Sequence, residues 1–169
     1  TGDLGSGLAR CWAAAGYDVV IGSRSAEKAQ DAAKQLGGGV RGDGNAEAAE
    51  AADIVVVAVP FASHESTLRD VRDAVQGKIV VDALVPLVPP KVATVQLPKE
   101  GSAAQIAQAL LGEGVRVVSA FHNVGATKLH SGDRANCDVL VFGDDKDARA
   151  AVIELANAVA TRGIDGGVL

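Results

Sequence analysis

Short apolar runs alternate with segments of helical periodicity along the whole chain. The runs predict strands at 18–22, weakly near Val40, and at 54–59, 78–82, 115–120 and 138–142. The segments between them predict helices at about 5–15, 26–36, 46–51, 64–75, 103–111 and 146–161. This regular alternation is typical of an α/β fold, in which helices connect the strands of a parallel sheet.

Two of the runs, "DIVVVAV" at 53–59 and "KIVVDALV" at 78–85, are apolar without alternation. Strands that are covered on both faces have this character. The pattern therefore predicts a Rossmann-type, doubly wound, mainly parallel sheet with helices on both faces. Segment 85–101 contains four prolines and cannot be a helix. It is also longer than loops that only connect two secondary-structure elements. We predict that it is a loop over a binding cleft.

Composition narrows the function classes. The 169 residues are expected to form one domain, 1–169. A net charge of -5 and 3% aromatic residues argue against a nucleic-acid surface. Cys11 and Cys137 stand alone, without the spacing of a zinc site or a disulfide framework, so a reducing cytoplasm is expected. No apolar run approaches the length of a membrane span, and no motif supports metal or hydrolytic chemistry.

The first seven residues, "TGDLGSG", form a glycine-rich turn that leads into a predicted helix. Gly2 and Gly5 match the second and third glycines of the dinucleotide-binding pattern G-x-G-x-x-G, and the first glycine would precede Thr1. The N-terminus of the following helix would attract a pyrophosphate. A simple capping turn is the alternative. We expect a glycine directly before Thr1, preceded by a short strand rich in Val, Ile, Leu and Ala, and we expect the domain to be truncated at both ends and inactive as it stands.

The residues after the second predicted strand indicate which dinucleotide binds. A carboxylate at this point would hold the ribose 2′-hydroxyl of NAD, but the chain has Ser23, Arg24 and, four residues later, Lys28. A hydroxyl, a guanidinium and an ammonium are the groups that a 2′-phosphate requires. The sequence therefore predicts NADP. In the alternative interpretation, Arg24 and Lys28 are solvated charges and Ser23 caps a helix.

Three further strand ends are expected to border the same crevice, because ligands of open α/β sheets bind beyond the carboxyl ends of the strands. Pro60 and Phe61 follow one strand, and "DALVP" at 82–86 ends the next. "SAFHNVGA" at 119–126 follows a third. From its type alone, His122 is a general acid, a hydrogen-bonding binder or a structural residue. No role is assigned to His64 or His130.

Five segments resemble, in order and spacing, the coenzyme F-420-dependent NADP oxidoreductases. They are "TGDLGSGLA", "VVIGSRSAEKA", "ADIVVVAVPF", "KIVVDALVPL" and "VVSAFHNVGA", and the similarity continues through "VFGDD" to about residue 165. The resemblance implies an NADP-binding Rossmann domain with an adjoining pocket for the deazaflavin. It implies hydride transfer between NADPH and the 8-hydroxy-5-deazaflavin coenzyme F-420, and a homodimer in the full-length protein.

The resemblance also implies roles for individual residues. Phe61 and Val85 would line the cofactor cleft beside Pro60, and Ala126 would lie near the nicotinamide amide. His122 and Val124 would face the deazaflavin ring. Gly125 departs from relatives that have proline there, which puts the rigidity of this pocket edge in doubt. The residues implied for the pyrophosphate are Thr1, Gly2, Asp3 and Leu4, and those for the 2′-phosphate are Ser23, Arg24 and Lys28.

Direct hydride transfer between two cofactors explains why the chain has no conspicuous acid or base, because the cofactors supply the reactivity and the protein orients them. His122 is then expected to be a positioning and electrostatic residue. Two alternatives stay open. The chain is also similar to the NADPH-binding domains of membrane metalloreductases, which pass electrons through a flavin to haem. It could otherwise be an NADP-binding sensor without turnover.

Overall fold

A computed structural model describes residues 2–90, 92, 94, 96–129 and 133–169. The helices are α1 (Asp3–Ala14), α2 (Ala26–Leu36), α3 (Asn45–Ala51), α4 (His64–Val71), α5 (Ala103–Leu111) and α6 (Lys146–Val159). The strands are β1 (Val20–Ser23), β2 (Arg41–Gly44), β3 (Ile54–Val57), β4 (Ile79–Asp82), β5 (Arg116–Ser119), β6 (Ala135–Gly143) and β7 (Ala160–Gly167). Short 3₁₀ turns lie at Phe61–Ser63 and Ala126–Leu129.

The strands form a two-stranded and a five-stranded sheet. β1 pairs with β2, and the second sheet has the order β3-β4-β5-β6-β7. Every neighbouring pair is parallel except β5 and β6, which run antiparallel. The mainly parallel, Rossmann-type α/β fold predicted from the sequence is therefore confirmed.

Helices cover both faces of the five-stranded sheet, as the non-alternating apolar runs predicted. In β4 all four residues are buried. Val81 packs in a cluster with residues of α1 and α6, whereas Val80 packs in a second cluster with residues of α4 and α5. Because successive side chains of a strand point to opposite faces, the two clusters are the two sides of one covered sheet.

Several predicted bounds were wrong by two residues or more. The helix predicted at 64–75 ends at Val71, and β6 begins at Ala135 where a strand was predicted from residue 138. The last helix was predicted to reach residue 161, but it ends at Val159 and the chain continues directly into β7. The weak strand predicted near Val40 is present as β2.

A gap separates the two sheets. In the described ranges β1 pairs with β2 alone and β3 with β4 alone, so that one edge of each faces the other. A cavity of about 460 Å³ lies between these edges. Its lining includes Ile21 from β1, Val56 from β3, Leu8 and Trp12 from α1 and Ala48 from α3. The gap is therefore mainly apolar, although Asn45 and Asp53 also line it, and it is bordered by strand edges.

The segment after β4 has no helix or strand until α5 begins, as predicted for 85–101, although residues 91, 93 and 95 lie outside the described ranges. Leu87, Val88 and Leu97 are exposed there. Within the parts of the chain described, the helices are too short or too polar to cross a bilayer.

Candidate functional site

The N-terminus of α1 is an anion-binding arrangement. Gly2 is extended, and α1 begins at Asp3, two residues earlier than predicted. The Ser6 N–H donates to the Gly2 carbonyl over 2.9 Å, so the N–H groups of Asp3, Leu4 and Gly5 have no acceptor within the helix. Such N–H groups and the helix dipole attract negative charge. The Asp3 carboxylate would repel an anion, so Asp3 can contribute only through its backbone. Thr1 lies outside the described residues.

Gly7 sets how closely α1 packs on the turn that follows the His122 loop. A Cβ added to Gly7 would lie 2.7 Å from the Cβ of Leu129, closer than real contacts allow, whereas a Cβ on Gly5 would meet Ala58 at an ordinary 3.7 Å. Gly7 therefore lets α1 approach the 3₁₀ turn Ala126–Leu129. Sequence analysis missed this role, although the third glycine of "TGDLGSG" was a visible signal.

Ser23, Arg24 and Lys28 lie together where β1 ends and α2 begins. Ser25 caps α2 by accepting from the Lys28 N–H, and Ser23 Oγ accepts from the Ser25 N–H over 3.3 Å. Arg24 and Lys28 are exposed, and in the described ranges neither forms an ion pair. Two unpaired cations at a helix N-terminus are suited to a phosphate dianion.

A buried pair of ionisable residues, His64 and Asp82, lies at the ends of neighbouring elements. His64 begins α4 and Asp82 ends β4; their side chains are 0% and 1% exposed, and His64 Nε2 lies 2.7 Å from Asp82 Oδ2. The ring of Phe61 stacks on His64 at a centroid distance of 5.9 Å. The pair was not predicted from the sequence, because 18 residues separate its members and no motif contains both of them.

The loop after β5 presents His122. Ser119 Oγ lies 2.7 Å from His122 Nε2, and the Asn123 side chain donates to the backbone carbonyl of Asp138 in β6. Burial lowers the pKa of His122, and the negative charge of Asp82 offsets part of this effect. The His122 ring is therefore held by a hydroxyl in a partly desolvated position.

Phe121 has the left-handed φ of +68°, which is strained for a bulky residue. Its buried ring meets Trp12 of α1 edge to face, with centroids 5.7 Å apart, and the Trp12 indole N–H donates to the Leu155 carbonyl. Packing of Phe121 against Trp12 thus retains the backbone turn that precedes His122. This is a second contact between α1 and the loop after β5.

The remaining predicted site residues differ in how exposed they are. Pro60 is exposed, and Phe61, Val85 and Ala126 are half-buried at the carboxyl ends of their strands or in the following loop. Val124 is only 6% exposed and packs in the core, so little of its side chain is open to a ligand. His130 lies outside the described residues. Among those described, no three His, Cys, Asp or Glu side chains group as metal ligands.

The structure thus brings Phe61, His64, Asp82, Ser119 and His122 to the carboxyl ends of β3, β4 and β5. The cationic residues at the end of β1 lie across the gap from them. The N-terminus of α1 lies beside the end of β3, since a Cβ on Gly5 would meet Ala58 at 3.7 Å. In an open α/β sheet a dinucleotide is expected to bind at the carboxyl ends of the strands. The side chains offer hydrogen bonds and charges for binding and orienting ligands.

Comparisons with known proteins show which sequences this chain resembles. Residues 1–86 match the family model described as NADP oxidoreductase, coenzyme F-420-dependent. The chain is 41% identical to the F-420-dependent NADP reductase of Methanothermobacter thermautotrophicus, and the match covers 100% of this chain and 78% of that protein. It is 30% identical to the metalloreductase STEAP3 of Rattus norvegicus, where the match covers only 33% of the relative.

A solved structure has the same fold. It belongs to a protein of Arthrobacter sp. FB24 that bears the provisional name F-420-dependent NADP reductase. The TM-score is 0.81 at 27% identity, and the match covers 99% of this chain and 82% of that one.

Proposed function

The chain belongs to the family of coenzyme F-420-dependent NADP oxidoreductases, and from that membership we propose which of its residues hold the two cofactors. The activity is hydride transfer between NADPH and coenzyme F-420, carried out by an NADP-dependent oxidoreductase. Both reactants are small molecules. The observation that carries the residue assignment is that the cations after β1 and the His122 loop after β5 both follow the carboxyl ends of parallel strands, where ligands of open α/β sheets bind.

NADP lies across the carboxyl ends of the strands. The backbone N–H groups of Gly2, Asp3, Leu4 and Gly5, together with Thr1, hold the pyrophosphate at the positive end of α1. The donor set fits this group, since three first-turn N–H groups are free of helical partners. Pro60 and Phe61 shape the wall of the cleft after β3, and Val85 does so after β4.

Ser23, Arg24 and Lys28 bind the ribose 2′-phosphate. The two exposed cations have no carboxylate partner in the described ranges, so their charge is available. The Ser23 hydroxyl accepts one hydrogen bond and still has its own proton to donate. This set explains a preference for NADP over NAD, because a hydrogen bond to a charged group stabilises binding by about 1.5 to 3 kcal/mol.

The deazaflavin lies against the loop after β5. His122 orients the ring by a hydrogen bond and by its local dipole, while Ser119 fixes the imidazole. Val124 contributes the small exposed part of its surface, and Ala126 lies beside the nicotinamide amide. When bound, the cofactors supply the chemistry, a hydride leaving carbon 4 of the nicotinamide for carbon 5 of the deazaflavin.

The test is an absorbance assay near the deazaflavin band. NADPH should reduce coenzyme F-420 in the presence of the full chain, NADH should do so far more slowly, and a flavin such as FMN should be a poor acceptor. Reduction of the flavin but not of the deazaflavin would favour a metalloreductase-like activity. Tight NADP binding without turnover on either acceptor would favour a sensor.

We also propose that the protein works in the cytoplasm, as a homodimer, and without nucleic-acid partners. Cys11 and Cys137 are both free thiols, which suits a reducing compartment. A net charge of -5 would repel phosphate backbones. Sedimentation of the full-length protein measures its oligomeric state.

A further inference from the structure

We propose that Asp82, held in place by His64, is a positioning residue that puts a fixed negative charge behind His122. The inference rests on the proposed function for the identity of the pocket, which is the one assigned to coenzyme F-420. It adds to that function a pair of residues that no sequence motif indicates.

Both oxygens of the Asp82 carboxylate are held. Oδ2 lies 2.7 Å from His64 Nε2, and Oδ1 accepts from the Leu84 backbone N–H over 3.0 Å. The surrounding side chains are apolar on both sides of β4, with Val80 and Val81 fully buried. A carboxylate with two donors and no room to rotate has a fixed position.

The backbone connects Asp82 to the His122 loop. Asp82 is the register partner of Ser119 on β5, and the Ala120 N–H donates to the Asp82 carbonyl over 3.1 Å. Ser119 in turn lies 2.7 Å from His122 Nε2. The carboxylate is therefore one strand away from the residue that holds the imidazole.

The charged surroundings of His122 support this assignment. Asp82 acts on its pKa from β4, in the direction that favours the protonated ring. On the opposite side, β6 contributes Asp138, but its carboxylate is engaged by Arg162 through two hydrogen bonds. Asp82 is thus the charged residue that acts on the pKa of His122, and its own partners are the His64 ring and a backbone N–H.

A role in stabilising the fold does not account for the pair of His64 and Asp82. A buried ionisable pair stabilises a fold little better than apolar residues of similar volume, because both groups must be desolvated. The pair is also incompletely satisfied, since His64 Nδ1 is buried with no hydrogen-bond partner in the described structure. A polar pair that is buried where α4 begins and β4 ends, with one ring nitrogen left without a partner, favours a functional role over a structural one.

The experiment replaces Asp82 by Asn, which keeps the shape and still accepts from Leu84. The titration of His122 is followed by NMR in the full chain without cofactors, with the His122 signal identified from the spectrum of His122→Asn. We expect the His122 midpoint of Asp82→Asn to move to lower pH. Asp70→Asn is the matched control, because Asp70 is exposed on α4 and its loss changes the net charge equally. Its midpoint should equal that of the wild type.

A second pair of variants covers the case in which Asp82→Asn does not fold. His64→Gln retains a donor for Asp82 and should keep the His122 midpoint near the wild-type value, whereas His64→Leu removes the donor and should shift it. An unmoved midpoint in Asp82→Asn, or in both His64 variants, would overturn the proposal, as would an equal shift in Asp70→Asn.

Activity supplies the functional readout. In Asp82→Asn, any limb of the pH profile of hydride transfer that reflects His122 should move to lower pH, with the dissociation constant for NADP unchanged. A moved midpoint with an unmoved profile would also overturn the role in the reaction. If wild-type protein transfers no hydride to coenzyme F-420, the proposed function fails, but the NMR result is unaffected, so the two failures are distinguishable.

Discussion

Gly7 of α1 and Leu129 of the turn after the His122 loop approach so closely that a methyl group on Gly7 would lie 2.7 Å from the Leu129 Cβ. The helix whose N-terminus is assigned to the pyrophosphate therefore packs directly on the turn assigned to the nicotinamide. The contact between Trp12 of α1 and Phe121 adds a second link between this helix and the loop that carries His122.

Gly7→Ala should lower the free energy of unfolding by about 1 to 3 kcal/mol, the usual cost of overpacking a core. Gly5→Ala is the matched change two residues earlier in the same helix, and its Cβ would make an ordinary contact with Ala58 at 3.7 Å. It should leave unfolding near the wild-type value. Denaturant melts of the two variants check this, and equal effects would contradict the close approach. Leu129→Ala should not rescue Gly7→Ala, since the contact is with the Cβ itself.

Arg24→Ala should weaken NADP binding by about ten- to a hundredfold, since a charged hydrogen bond contributes about 1.5 to 3 kcal/mol. NAD binding should barely change, because NAD lacks the 2′-phosphate. Lys34→Ala, at the other end of α2, removes the same charge and serves as the control. Titration calorimetry with both dinucleotides decides the point. Equal losses for NADP and NAD would make Arg24 a structural residue.

Acidification should destabilise the protein partly through His122. Burial lowers the pKa of His122 in the folded state, so the unfolded chain binds the proton more readily. This contribution to stability is fully present above the unfolded pKa of about 6.5 and is lost as the pH falls through and below it. His122→Asn should therefore lose less stability than the wild type between pH 8 and pH 5. Identical losses in denaturant melts at the two pH values would contradict the lowered pKa.

The gap between β1 and β3 should accept an additional strand. Its edges offer backbone groups and its walls are apolar, so an uncharged peptide of about five Val, Ile, Leu or Ala residues should bind there as a strand. We expect the peptide to raise the melting temperature in a concentration-dependent way and to increase hydride transfer. A peptide of equal length with proline at alternate positions, which lacks the donors, should do neither. Equal effects of both peptides would exclude strand pairing.

Periodicity alone predicted most of the fold, because buried parallel strands and amphipathic helices have patterns that are visible locally. β7 was missed for a physical reason. Its sequence "ATRGIDGG" is rich in glycine and charge, and it is a strand because it pairs with β6 and because Arg162 and Asp138 bind across the two strands. Strand propensity of this kind comes from tertiary contacts and is absent from the segment itself.

Only those parts of the candidate site that a contiguous stretch of sequence encodes could be predicted. The turn before α1, the cations after β1 and the His122 loop are each encoded within a few residues, and their assignment to the cofactors stays a prediction. His64 and Asp82 could not be paired in this way, because only the packing of α4 against the end of β4 brings them together. The strained φ of Phe121 likewise depends on Trp12, more than a hundred residues earlier.

An isotope experiment tests whether the hydride passes directly from NADPH to coenzyme F-420. The protein is given NADPH with deuterium on the transferred position of carbon 4, in ordinary water, and the reduced coenzyme is examined by NMR. The account predicts deuterium at carbon 5 of the deazaflavin. Loss of the label to water, or no reduction of coenzyme F-420 while FMN is reduced, would contradict it.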